Sequence, residues 1–152
     1  MQKLKILNTR EIKKVKQLLV KQFNCTLENE YAYLLNQKNR LFVVNKDIAK
    51  INIDNLRIDR YGLYFGELKD ELRLSKAGAQ LLVQEGKVEN KVELSKEEVE
   101  HYFKGEDLDK DLGEKNKLII LSHENNILGC AKYKEHVILN FLPKIHRGTV
   151  IL

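Results

Sequence analysis

"KLIILSHENNILGCAKYKEHVILNFL", Lys117–Leu142, alternates apolar runs with short polar turns. Its first run, Lys117–Ser122, is apolar without alternation, the pattern of a strand covered on both faces. "HENN" turns it, "ILGCAKY" (Ile127–Tyr133) returns, "KE" turns again, and "HVILNFL" (His136–Leu142) runs back. Short apolar runs joined by polar turns predict consecutive hairpins. A last short strand is expected at "GTVIL", Gly148–Leu152.

Towards the N-terminus, a strand over Lys91–Leu94 precedes Ser95, which forms a capping box with Glu98 three residues on. The helix "KEEVEHYFK" (Lys96–Lys104) stops at Gly105. "GEDLDKDLGEK" then reads as a loop held by Leu108 and Leu112. A strand, a helix, a loop and several hairpin strands together predict a small β-barrel with one helix tucked against it.

The preceding residues have a different order. Leu4–Leu7 is an opening strand, and Asn8 with Glu11 caps a helix carrying Ile12, Val15, Leu18, Leu19 and Phe23 on one face. Its other face holds Lys13, Lys14, Lys16 and Lys21, which suits a solvated face or a secondary phosphate patch. Glu30–Asn36 and Arg40–Asn45 read as a hairpin, Lys46–Ile51 as a short helix, Leu56–Asp59 and Gly62–Leu68 as a strand pair, and Leu72–Leu74 as a short strand. Ser75 caps a further helix ending near Gly86. The expected fold class is α+β: residues 1–86 form an antiparallel sheet with flanking helices, and residues 88–152 form the barrel.

Charge changes sign along the 152 residues. Residues 1–87 carry 17 Lys and Arg against 10 Asp and Glu, 88–114 carry 4 against 10, and 115–152 carry 6 against 2. This basic–acidic–basic order hints at a polyanionic partner. No apolar run is long enough for a membrane span and no signal segment follows Met1, so a cytoplasmic location without membrane contact is expected. Two cysteines, Cys25 and Cys130, give no disulfide framework, and each is read as a small buried hydrophobe. His101, His123, His136 and His146 show no metal-ligand spacing, and no nucleophile or phosphate-loop motif is present. The reading is a protein with no cofactor, no metal and no catalytic role.

"VELSKEEVEHYFKGEDLDKDL" followed by "KLIILSHENNILGCAKYK" resembles a PUA domain. The matching motifs are the Gly-x-x-Leu loop (Gly105–Leu108) and Leu-Gly-x-Ala (Leu128–Ala131). "RLFVVNKDIAKI" and "GLYFGELKDELRL" look like the N-terminal domain of the two-domain ribosome-biogenesis factors of the archaeal and eukaryal nuclear import protein seven type. "LGCAKYK" and "NFLPKIHRG" are also similar to the C-terminal RNA-binding extension of Sun-type RNA cytosine-5 methyltransferases. Both resemblances imply RNA binding, of rRNA or a uridine-rich single strand, and neither implies catalysis by this chain.

The resemblance implies a ribosome-biogenesis role in rRNA processing, with assembly proteins docking on residues 1–86. A protein-interaction adaptor, or a stand-alone RNA-specificity module of a methyltransferase-type modification enzyme, is the alternative. The RNA-binding residues expected are Lys132, Lys134, Lys144, His146 and Arg147, converging on one rim if the last strands pair as hairpins. Tyr133 is a candidate stacking face, and Pro143 would fix the turn that presents the last three cations. The PUA loop commonly touches RNA; here it carries Glu106, Asp107, Asp109 and Asp111, which oppose that role or pair with Lys144 and Arg147.

Overall fold

Capping chemistry sets the helix starts in the computed structural model, which describes residues 4–46, 62–142 and 148. The Asn8 side chain accepts from the Glu11 N–H, and the Glu11 carboxylate accepts from the Asn8 N–H in return, opening helix α1 (Thr9–Phe23). Two of the orphan amides at the helix start are thereby satisfied. Ser75 accepts from the Gly78 N–H and opens helix α2 (Lys76–Glu85). Ser95 and Glu98 form the second reciprocal box, at helix α3 (Lys96–Phe103).

The chain divides into two compact units, Met1–Val88 and Glu89–Leu152. The first holds a five-stranded antiparallel sheet in chain order: β1 (Lys5–Ile6), β2 (Tyr31–Leu35), β3 (Arg40–Asn45), β4 (Leu63–Leu68) and β5 (Leu72–Leu74). One face bears Tyr33, Leu41, Val43 and Leu74, all buried. Helices α1 and α2 supply Val15, Leu19, Phe23, Ala79 and Leu82 to the same core. The Gln22 amide clamps α1 to β5 by donating to the Leu72 carbonyl and accepting from its N–H, both at 2.9 Å. Gly78 lets α2 lie directly on β4, because a Cβ there would stand 2.0 Å from the Phe65 carbonyl oxygen. Phe65 is the extra residue of a bulge: Phe42 faces Tyr64 while Leu41 faces Gly66. The expected helix at 46–51 and strand at 56–59 fall outside the described residues, apart from Lys46.

The second unit holds a curled five-stranded sheet of order β6-β8-β9-β10-β7. Its strands are β6 (Lys91–Glu93), β7 (Leu108–Asp109), β8 (Lys117–His123), β9 (Asn126–Lys134) and β10 (Val137–Leu139). β6 runs parallel to β8; the other pairs are antiparallel. Leu94, Val99, Tyr102, Leu108, Ile119, Leu121, Ala131, Tyr133 and Ile138 form its core. On the opposite face of β8, Leu118 and Ile120 are also buried, as the unbroken apolar run predicts. Gly129 of the Leu-Gly-x-Ala segment has φ +156°, and the Tyr102 hydroxyl occupies the space a Cβ would need, 2.9 Å away. That explains why a glycine interrupts an otherwise apolar strand.

Four details differ from expectation. The acidic loop contains a strand, β7, too short for any period to reveal. The second turn is centred on Glu135 and His136 (φ 49° and 66°), so His136 belongs to a two-residue hairpin turn and not to the returning strand. β10 ends at Leu139, because Asn140 turns its polar groups inward to bond the chain elsewhere. Cys130 is buried as expected, but Cys25 is only half-buried. The expected strand at 148–152 lies outside the described residues except for Gly148.

Candidate nucleic-acid interface

Lys132 and Lys134 lie two apart on β9 and share the face opposite Tyr133. Lys132 is flanked by Leu118 on β8 and Leu139 on β10; Lys134 lies opposite Val137 at the open end of the hairpin. Lys134 is exposed and Lys132 half-buried, with its stem against apolar neighbours. Lys144, His146 and Arg147 fall outside the described residues, as does Pro143.

The described residues on either side of that segment are anchored to the same place. Asn140 Nδ2 donates to the Tyr102 carbonyl at 2.8 Å and to the Glu106 carbonyl at 2.9 Å. Asn140 Oδ1 accepts from the Leu142 N–H at 2.8 Å, and its own N–H donates to Asp107 Oδ1. The Gly148 N–H donates to the Phe103 carbonyl at 2.6 Å. Tyr102 and Phe103 are the last residues of α3; the Tyr102 carbonyl also accepts from the Gly105 N–H at 2.9 Å, and a helix C-terminus favours positive charge nearby.

Tyr133 is not a stacking face. It is fully buried, and its hydroxyl accepts from the Leu112 N–H at 2.8 Å and donates to the Gly113 carbonyl at 2.7 Å. It therefore fixes the acidic loop to the barrel. Lys110 reinforces the loop by bridging to Glu98 at 3.1 Å. Burial would raise the Glu98 carboxyl, but the Ser95 N–H and the Lys110 ammonium outweigh it and hold its pKa below the usual 4.5.

Sequence spacing did not reveal the histidine–carboxylate pairs. His136 Nδ1 lies 3.3 Å from Asp111 and its Nε2 lies 3.6 Å from Glu114, across more than 20 residues of chain. His101 bonds Glu106. The Gly113 N–H, then His136, hold the Asp111 carboxyl below its ordinary value. Only hairpin pairing and the loop's attachment to Tyr133 bring these groups together. The corner beyond Lys134 is thus acidic, and an RNA phosphate would be repelled there. Among the described residues no group of three His, Cys, Asp or Glu side chains is placed to hold a metal ion. No helix among them is long and apolar enough to cross a membrane.

A curled sheet closed by one capped helix, with a tethered loop and a Leu-Gly-x-Ala strand, is a PUA-like pseudobarrel. Residues 89–147 match the family model of the methyltransferase RsmF PUA domain. The match falls on the methyltransferase side of the two resemblances. It does not reach residues 1–86, whose likeness to nuclear import protein seven gains no support from it. Comparison with curated proteins gives no match.

Proposed function

We propose that this chain is a non-catalytic RNA-binding protein whose PUA-like unit serves as the specificity module of an RNA-modification system of the methyltransferase type. The observation that carries the reading is the match of residues 89–147 to the PUA domain of a methyltransferase, over a fold of the expected architecture. Its ligand is structured RNA, rRNA first, or a uridine-rich single strand, held by phosphate contacts from Lys132, Lys134, Lys144, His146 and Arg147. Residues 1–86 act as the domain that docks protein partners. A role in ribosome biogenesis follows if the bound RNA is rRNA.

Phosphate contacts orient the strand, and sequence choice comes from groups that reach the bases. The acidic corner at Asp111 and Glu114 sets the boundary of the footprint, leaving Lys132, Lys134 and the residues after Leu142 as the attractive side. Fluorescence anisotropy of labelled oligo-U and a structured rRNA fragment, over a salt series, tests this. The four Lys and Arg contacts, from Lys132, Lys134, Lys144 and Arg147, to a single strand predict a log–log salt slope of about −3. The Lys144→Ala/Arg147→Ala variant should lower it to about −1.5. Absence of binding at low salt would reject the RNA reading and favour an adaptor whose acidic helix and loop meet a basic protein.

A further inference from the structure

The sheet of the first unit has a second face, turned away from α1 and α2. Register assigns Ile6, Leu34, Phe42 and Tyr64 to it, one residue from each of β1 to β4 in a row. Arg40, Glu67 and Arg73 form the next row on the same face. Leu34, in the middle of the row, is fully buried, whereas a row open to solvent is ordinarily polar. Here Tyr64 is 37% exposed, although it is large and aromatic. Phe42 is partly exposed and packs on buried Leu34 and Val44, with Leu4 alongside, so its ring stands on a fixed base.

The two rings are partners. Their centroids are 5.5 Å apart with planes tilted by 44°. The Arg40 guanidinium lies over the Tyr64 ring, 5.9 Å from its centroid. Arg73 stands across from Glu67, the one carboxylate of the row, which Lys69 also contacts at 3.2 Å. The edge of the aromatic pair therefore carries a surplus of cations. Arg40 and Arg73 stand on either side of Glu67 and share that one carboxylate, so an occupant bearing an anion suits the row better than a purely apolar one. An unpaired nucleotide satisfies both parts, with its base on the rings and its phosphate on the arginines.

We infer that Phe42 and Tyr64, flanked by Arg40 and Arg73, form a stacking platform for an unpaired base of single-stranded RNA, a second RNA contact separate from the residues on β9. The inference rests on the RNA reading above. The bulge at Phe65 serves the platform. It keeps Phe65 in the helix-side core while Tyr64 remains on the opposite face, directly across from Phe42.

The test uses the full chain with oligo-U carrying 4-thiouridine, photo-crosslinked and mapped by mass spectrometry, beside anisotropy for wild type, Tyr64→Leu and Tyr64→Phe. Crosslinks at Phe42 or Tyr64 are expected. Tyr64→Leu should weaken oligo-U binding about five- to tenfold, the low end of base–aromatic stacking, and Tyr64→Phe should stay within about twofold of wild type. Salt-sensitive binding with crosslinks confined to residues 89–152, and no effect of Tyr64→Leu, would overturn the platform and leave the RNA reading standing. No binding by the wild type would overturn both. Concentration-dependent self-association in sedimentation, lost in Tyr64→Leu without change in RNA affinity, would assign the face to a second copy of the chain and overturn the inference.

Discussion

The Tyr133 hydroxyl donates to the Gly113 carbonyl across 20 residues of chain and accepts from the Leu112 N–H beside it. A core side chain thus holds a surface loop. Tyr133→Phe keeps the ring packing and removes both bonds. Because Gly113 is exposed, water replaces part of the loss, and the cost should be about 1 kcal/mol. Urea unfolding checks the magnitude. Hydrogen exchange should show faster exchange at Leu112, with little change in β8.

Asn140 ends β10 by filling four hydrogen-bonding roles within one residue. Asn140→Ala loses three side-chain bonds and should cost about 1–2 kcal/mol. Asn140→Asp should cost more, because a carboxylate would face the carbonyl oxygens of Tyr102 and Glu106. Melting temperatures of the two variants test that order; equal values would refute it.

Gly78→Ala separates two opposing effects. Helix propensity alone would favour alanine by about 1 kcal/mol. The new Cβ would meet the Phe65 carbonyl at 2.0 Å, and backbone cannot swing aside as a side chain can. Overpacking of this kind costs about 1–3 kcal/mol, so the variant should be destabilised on balance. Equilibrium denaturation gives the sign.

Much of the fold is written locally. Asn8 with Glu11 and Ser95 with Glu98 can be read directly, because a capping box is complete within four residues. The hairpins follow from apolar runs between polar turns. The parallel pairing of β6 with β8 and the short strand at Leu108 cannot be read this way, since neither leaves a period in the sequence. For Tyr133 the alternation Lys132-Tyr133-Lys134 leaves two readings, a packed ring or a stacking face, and the burial of the ring in the barrel core decides for the first. His136 and Asp111 meet only through tertiary structure, and Phe42 and Tyr64 face each other only because a bulge resets the register.

The Glu98–Lys110 pair makes stability sensitive to acid. The folded pKa of Glu98 lies below 4.5, so its contribution is fully present above that value and is lost as pH falls through the folded pKa. Carboxyl NMR titration should place Glu98 below 4.5 in the wild type. Lys110→Met should move it upward, and the acid unfolding transition should rise in pH with it.

The proposed RNA site of the PUA-like unit lies on β9 and the residues that follow Leu142. The most direct measurement is an amide NMR titration of the isotope-labelled full chain with oligo-U at low salt. Shifts should concentrate at Lys132, Lys134 and residues 144–147 and be reversed by added salt, with Asp111 and Glu114 little affected. Shifts confined to the acidic segment 105–114, or none at all, would contradict that site.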